Sequence, residues 1–240
     1  MLMLKEIENL LKFKSNLLKQ KYNNELLMAA IFDSSINGVD WIKSKSFSPS
    51  RAAANYSFLY ILFRVLDDIC PKSIIEFGMG QTSKLTSQYV FNKNQDAKLT
   101  IIEHNKIWID IFKSKLSLNS NIKIENLETS VENYKSHKVI IYKNLQDIIK
   151  YTKYDLMIID GIGAEKYSRI YVLDLIPNNI NKDSFVIILD DYDRDGERNT
   201  AKEIIMKLKN NNIPFERTEF SGVKSQLIFC SPNLKFLQTI

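Results

Sequence analysis

From residue 2 to residue 30 apolar side chains return at helical spacing: Leu4, Ile7, Leu10 and Leu11, then Leu17 and Leu18, then Leu26 and Leu27. Lysines and glutamates fill the other face, so the stretch predicts one or two amphipathic helices. The polar segment Ser44–Ser50, with Pro49, predicts a loop and a helix start, and the apolar run Arg51–Ile69 predicts a helix packed ahead of the first strand. Then the pattern becomes an alternation. Strands are expected at Ser73–Phe77, Lys98–Glu103, Leu156–Asp160 and Phe185–Asp190. Helices are expected at Ser83–Phe91, Lys106–Leu116, Leu145–Tyr151 and Glu197–Asn210. Ile122–Asn126 and Val139–Tyr142 are rival short strands, and Phe215–Phe220 with Gln226–Cys230 predicts a closing antiparallel pair joined at Ser221-Gly222. Continuous apolar strands between helices imply a parallel sheet covered on both faces. No Pro/Gly linker or internal repeat cuts the chain, which divides into a helical region, 1–69, and an α/β domain, 70–240.

Composition changes this picture little. With 240 residues, 45% hydrophobic and 25% charged, the chain has ordinary globular composition. The net charge of +5 comes from scattered lysines with no run of five like charges, which reads as a solvated surface and not a nucleic-acid footprint. Mild basicity suits an anionic small-molecule substrate. Cys70 and Cys230 lack metal-ligand spacing and sit beside apolar segments, so both are expected to be buried free thiols, which suits a reducing cytoplasm. Acids stand where a signal peptide would be basic and then apolar, and Arg64, Asp67 and Asp68 break the apolar run Tyr56–Cys70. A cytoplasmic chain without a membrane span is expected.

The chemistry begins at Ser73–Ser83, where an apolar strand runs into Glu76, Gly78 and Gly80. A glycine turn between strand and helix lets a ligand approach the backbone, and the next strand ends in Glu103, an acceptor for a ribose diol. Dinucleotide enzymes place a third glycine where this chain has Ser83. The other reading is acid-x-Gly-x-Gly, the first motif of proteins that bind S-adenosylmethionine (SAM). A tight turn that binds nothing leaves the paired acids unexplained. Further along, His104 and Asn105 follow the second strand, Asp160, Gly161 and Ile162 end the fourth, and Asp190, Asp191, Tyr192, Asp193 and Arg194 end the fifth. Carboxylates that end strands of a covered sheet must find partners or water.

Ile75–Gly80, Ile101–His104, Tyr154–Gly161 and Phe185–Arg194 follow one another as in class I SAM-dependent methyltransferases, which the chain resembles from about Cys70 to its C-terminus. The segments Glu-Phe-Gly-Met-Gly-Gln-Thr-Ser, Ile-Glu-His, Leu-Met-Ile-Ile-Asp-Gly and Leu-Asp-Asp-Tyr-Asp-Arg are similar to bacterial members found with capsule and surface-polysaccharide genes. The resemblance implies a Rossmann-like sheet, mostly parallel with the last strand antiparallel, and a SAM cofactor. By it, Gly78 and Gly80 pass near the methionine moiety of SAM, and Glu76, Thr82 and Ser83 of the same motif are cofactor-binding residues. Glu103 takes the ribose, His104 flanks the adenosine or is simply a strand-end histidine bonded to backbone, and Asp160 is a further cofactor-binding residue. Thr82 departs from the family pattern, which often has a third glycine there. The implied activity is O-methylation of a small polar acceptor, such as a sugar hydroxyl of a nucleotide sugar or capsule precursor. A phosphate or phosphoramidate oxygen is the alternative acceptor.

Asp160, Asp190, Asp191 and His104 are the catalytic candidates. Some family members hold Mg²⁺ with acids in the order of Asp160, Asp190 and Asp191. The alternative is metal-free, with the aspartates ahead of His104 as general base. Arg169 and Arg194 either fork onto a substrate phosphate or pair with nearby acids. Tyr192 lines the acceptor pocket or packs. Trp41 and Trp108 read as packing residues, with Trp41 the better lid. The N-terminal helices serve as a cap, an acceptor wall or a homo-oligomer contact, or simply pack on the core. Nucleic acid is disfavoured, because Asp160-Gly161-Ile162-Gly163 stands where an Asn/Asp-Pro-Pro-aromatic motif would. A dinucleotide-dependent oxidoreductase and a non-catalytic descendant of the fold remain as alternatives.

Overall fold

The computed structural model describes residues 2–49 and 53–239, with side chains from residue 9 onward in the first helix. Leu4 and Ile7, in the predicted N-terminal stripe, and Ser50–Ala52, at the predicted helix start, therefore lie outside the described side chains or residues. The N-terminal periodicity forms one helix, α1 (Leu2–Ile36). Its second half joins the body, burying Phe32 and Ile36 and reaching it through Lys21 and Glu25, while Leu10, Leu11, Phe13, Leu17, Leu18 and Tyr22 stay exposed. The next helix begins at Tyr56, not Arg51: α2 (Tyr56–Arg64) continues in wider turns through Val65–Ile69. Phe58, Leu59, Ile61, Leu62, Val65 and Leu66 are fully buried, so this helix is apolar nearly all round.

Among the described residues nine strands follow: β1 (Ser73–Phe77), β2 (Lys98–Glu103), β3 (Ile122–Asn126), β4 (Thr129–Tyr134), β5 (His137–Tyr142), β6 (Leu156–Ile159), β7 (Val186–Leu189), β8 (Glu216–Ser221) and β9 (Ser225–Cys230). Seven form one sheet in the order β3-β2-β1-β6-β7-β9-β8. Its pairings are parallel except those of β9, the last strand, which runs antiparallel between β7 and β8. The helices α3 (Gln81–Gln88), α4 (Lys106–Lys113), α5 (Leu145–Ile149) and α6 (Asp195–Asn210) flank it. Successive strand residues point to opposite faces, and both are covered. Ile74, Leu99, Leu156 and Ile188 share one core with Phe32, Ile36 and α2, whereas Ile75, Phe77, Ile159 and Leu189 share the other with Ile204 and Leu208 of α6. The helical N-terminal region and the sheet thus have a common core. β1 lies between β2 and β6, so the chain switches direction across the sheet there, and a crevice opens beyond the carboxyl ends of β1 and β6.

Four expectations change. Of the rival strands, Ile122–Asn126 takes the sheet edge. Val139–Tyr142 belongs to a separate hairpin with β4, a strand whose Thr-Ser-Val-Glu-Asn-Tyr sequence has no apolar face to reveal it. The helix predicted to Tyr151 ends at Ile149. Trp41 is no lid: it is buried, stacked on Phe63 at 6.1 Å, and donates its indole N–H to Asp67 Oδ1 at 3.0 Å. Cys70 is exposed, because it ends the α2 segment in the left-handed region (φ 54°) at the surface, and only Cys230 is buried. Among the described residues no helix is long and apolar enough to cross a membrane.

Candidate functional site

Gly78 has φ +89°, and a Cβ there would run into the Asp160 carbonyl oxygen. The loops after β1 and β6 therefore meet backbone to backbone, which only glycine permits. Gly80 caps α3, and its N–H donates to Ser83 Oγ at 3.0 Å. Behind this loop lies Glu76, fully buried. Its Oε1 accepts from Thr82 Oγ1 at 2.6 Å and Ser83 Oγ at 2.7 Å, and its Oε2 accepts from Thr86 Oγ1 at 2.8 Å. Burial pushes the carboxyl up to about 7, against the pull of the three hydroxyls. Glu76, Thr82 and Ser83, expected at the cofactor, instead brace the first turn of α3 from inside. Their side chains face the sheet because α3 buries that face.

In front of the loop is a cavity of about 300 Å³. Gly78, Met79, Gly80 and Gln81 form one wall, and Glu103, His104 and Trp108 another. Asp160, Gly161 and Ile162 close it with Ala53 and Ala54. Glu103 joins two of these loops. Its Oε2 accepts from the Met79 N–H at 3.0 Å, and its Oε1 accepts from the His104 and Asn105 N–H groups, each at 2.8 Å. His104 Nδ1 lies 2.8 Å from the same Oε1, which holds the ring beside the cavity mouth. Asn105 caps α4 by accepting from the Trp108 N–H, and the Trp108 indole N–H donates to the Met79 carbonyl at 2.6 Å. Trp108, which reads from the sequence as packing, thus clamps the glycine loop and lines the cavity. The capping Asn105 three residues before it was the available signal. A larger cavity, about 510 Å³, lies at the opposite end of the sheet among Ser73, Lys98 and Thr100. Ligands of parallel sheets bind at carboxyl ends, so the smaller cavity is the candidate.

Beside it Asp160, Asp190 and Asp191 offer oxygens all within 4.8 Å of one another. Arg169 is buried among them. It donates to the Gly161 carbonyl at 3.1 Å, the Asp190 carbonyl at 2.8 Å, Asp160 Oδ1 at 3.1 Å and Asp191 Oδ2 at 2.7 Å. Its fork is spent on tying the ends of β6 and β7 together, so of its two expected roles it takes the pairing with nearby acids and not the substrate phosphate. Lys224 Nζ donates to Asp190 Oδ2 at 2.5 Å, and Gln226 Nε2 donates to Asp190 Oδ1 at 2.7 Å. Burial would raise the Asp190 carboxyl, but the Lys224 and Arg169 charges and the Gln226 bond carry it below the usual range. Burial and the Asp190 charge push Asp160 well above that range, despite Arg169 and Lys224. Asp191 has left-handed φ, +57°, and its Oδ2 also meets Arg194 at 3.0 Å. Arg194 keeps 59% of its side chain exposed. Tyr192 is half-buried and packs against the α6-side core.

Of the three acids only Asp160 lines the cavity. Both oxygens of Asp190, one of Asp160 and one of Asp191 already accept from side chains of the protein. A divalent cation needs several open oxygens at about 2.0–2.6 Å. The donor set as built does not fit resident Mg²⁺. Lys224 and Gln226 are unmarked in the sequence. Their only trace is a polar pair, two residues apart and so on one face of a strand, at the start of the apolar run that forms β9.

No family model matches the chain, and no curated protein matches it in sequence. Solved structures match in fold. The O-methyltransferase TomG of Streptomyces achromogenes, involved in tomaymycin synthesis and solved with SAM, is 10% identical with a TM-score of 0.52, covering 89% of this chain and 97% of its own. An O-methyltransferase of Bacillus cereus in complex with SAH is 15% identical with a TM-score of 0.51, covering 91% and 94%. A candidate O-methyltransferase of Klebsiella pneumoniae is 12% identical with a TM-score of 0.53, covering 89% and 98%. This likeness establishes the Rossmann-like fold of class I methyltransferases.

Proposed function

We propose that this chain is a SAM-dependent O-methyltransferase acting on a small polar acceptor. The observation that carries the reading is Glu103, a carboxylate braced by the Met79, His104 and Asn105 amides on a cavity floored by Gly78 and Gly80. A carboxylate so held is preorganised to accept from a ribose hydroxyl through Oε2, which has one protein donor where Oε1 has its full complement. The fold shared with TomG and with the Bacillus cereus enzyme, solved with SAM and SAH, supports the same cofactor. The dinucleotide alternative loses ground, since Ser83, where a third glycine would stand, turns its hydroxyl into Glu76.

SAM, when bound, supplies an electrophilic methyl group. The chain must then line up an acceptor oxygen and take its proton. Asp160, at the cavity with a raised pKa, is the general base of this reading, and its Oδ2 would receive that proton. Arg169 holds its other oxygen in place. Asp190, with both oxygens engaged, and Asp191, enclosed by Arg169 and Arg194, position Arg169 and Lys224 and are not the base. The acceptor favoured by the sequence resemblance is a sugar hydroxyl on a nucleotide sugar or capsule precursor. The exposed fork of Arg194 supports an anionic group on it. The setting is the cytoplasm, and the exposed apolar stripe of α1 supports a homo-oligomer. Calorimetric titration with S-adenosylhomocysteine, with NAD⁺ as comparison, tests the reading. Binding of the first alone is expected. Binding of NAD⁺, or of neither by folded protein, overturns it.

A further inference from the structure

Two buried cations stand among the three acids. The Lys224 ammonium, at the start of β9, is 2.5 Å from Asp190 Oδ2 and 3.4 Å from Asp191 Oδ1, and Asp191 Oδ1 has no hydrogen-bond partner. The Lys224 side chain is 8% exposed, so its charge is balanced inside the protein by these carboxylates and not by water. Its strand neighbour on the same face is locked as well. Gln226 donates to Asp190 and to Asn55 Oδ1 at 2.8 Å and accepts from Ser57 Oγ at 2.6 Å. Asn55 in turn donates to Glu25 of α1 at 2.7 Å. A chain of buried hydrogen bonds therefore runs from α1 to the carboxylates.

A Mg²⁺ or Mn²⁺ ion on these acids would need Asp190 Oδ2 and Asp191 Oδ1, the oxygens that Lys224 now faces, together with the Asp160 oxygen that Arg169 leaves free. It would also face the buried Lys224 ammonium, and like charges enclosed together repel strongly. We propose that Lys224, fixed by the Gln226–Asn55–Glu25 relay, is the resident cation of this cluster, standing where a divalent metal would bind and closing the site to one. Lys224 is on this account a positioning residue. It balances Asp190 and Asp191 and leaves Asp160 facing the cavity. The inference is independent of the cofactor reading, since metal binding is measured with neither cofactor nor acceptor present.

The test titrates Mn²⁺ into the purified full chain, with free ion followed by electron paramagnetic resonance and melting temperature by circular dichroism. The unmodified protein should take up no stoichiometric Mn²⁺ at millimolar ion, and its melting temperature should not move. Lys224→Met should bind Mn²⁺ stoichiometrically and melt higher when the ion is added. Stoichiometric uptake by the unmodified protein overturns the inference, as does a folded Lys224→Met that ignores the ion. Should that variant not fold, the double variant Lys224→Met with Asp190→Asn removes both buried partners at once. It should fold and bind no Mn²⁺. A double variant that is also unfolded or that binds Mn²⁺ overturns the pairing on which the inference stands.

Discussion

Glu76 and Glu103 lie on adjacent strands and meet different donors, three hydroxyls for the first and three backbone amides for the second. On the function proposed above, that difference separates a brace from a binding group. Glu103→Gln would turn an amide NH₂ toward backbone N–H groups, so S-adenosylhomocysteine affinity should fall about tenfold or more, ~1.4 kcal/mol, by calorimetry. Asp160 gives a second expectation. Its raised pKa means that the rate should climb with pH as the carboxyl loses its proton. Asp160→Asn should abolish that limb and lower kcat by about a hundredfold or more, whereas an acceptor oxygen already ionised would be indifferent. Glu103, Gly78 and Asp160 were legible because each ends a strand, where chemistry concentrates in parallel sheets. The direction of Glu76 was not, since an acid before a glycine turn reads the same whether its carboxylate faces the ligand or the helix behind.

At the level of single elements, α3 is held by a buried acid, and this makes its anchoring sensitive to pH. The Glu76 carboxyl titrates near 4.5 when unfolded and about 7 when folded. Between those values the folded chain keeps a proton that the unfolded chain has lost, so stability falls as pH rises and levels off above about 7. Urea unfolding at acidic and alkaline pH should show a loss of roughly 3 kcal/mol across the window, and Glu76→Gln should flatten it. Thr86 can tolerate the amide because the Thr82 and Ser83 carbonyls, 3.2 and 3.3 Å away, offer its hydroxyl other acceptors. The β4–β5 hairpin gives a different test. Tyr134 pairs with His137, which leaves Lys135 (φ 46°) and Ser136 (φ 64°) in a two-residue turn where Asn-Gly is preferred. Replacing them with Asn and Gly should add about 1 kcal/mol, read as a higher melting temperature with unchanged cofactor affinity. This turn hid the hairpin from sequence reading, because Lys-Ser carries no turn signal.

Across the whole molecule the alternation of strands and helices disclosed the sheet, but not that β9 would insert between β7 and β8. That insertion brings Lys224 and Gln226 to Asp190, contacts more than thirty residues apart in sequence that no local pattern encodes. The same insertion sets the β8–β9 turn against α1. Glu25 accepts there from the Val223 N–H at 3.0 Å, and also from the Tyr56 N–H at 2.6 Å and Asn55 Nδ2 at 2.7 Å. Glu25→Ala should orphan the Tyr56 and Val223 N–H groups, while Asn55 Nδ2 keeps Ser57 Oγ at 2.9 Å, and cost about 2–3 kcal/mol, lowering the melting temperature by roughly 5–10 °C. S-adenosylhomocysteine affinity should hold, because Glu103 and its amides lie apart from this contact. Next to Val223, a side chain on Gly222 would strike the Glu25 carboxylate. Two positions at opposite ends of the chain are thereby bound in inheritance. Among descendants of this sequence, a bulkier residue at 222 should arise only after 25 has shortened, and chimaeras that exchange N-terminal helices should be viable only when both positions come from one parent.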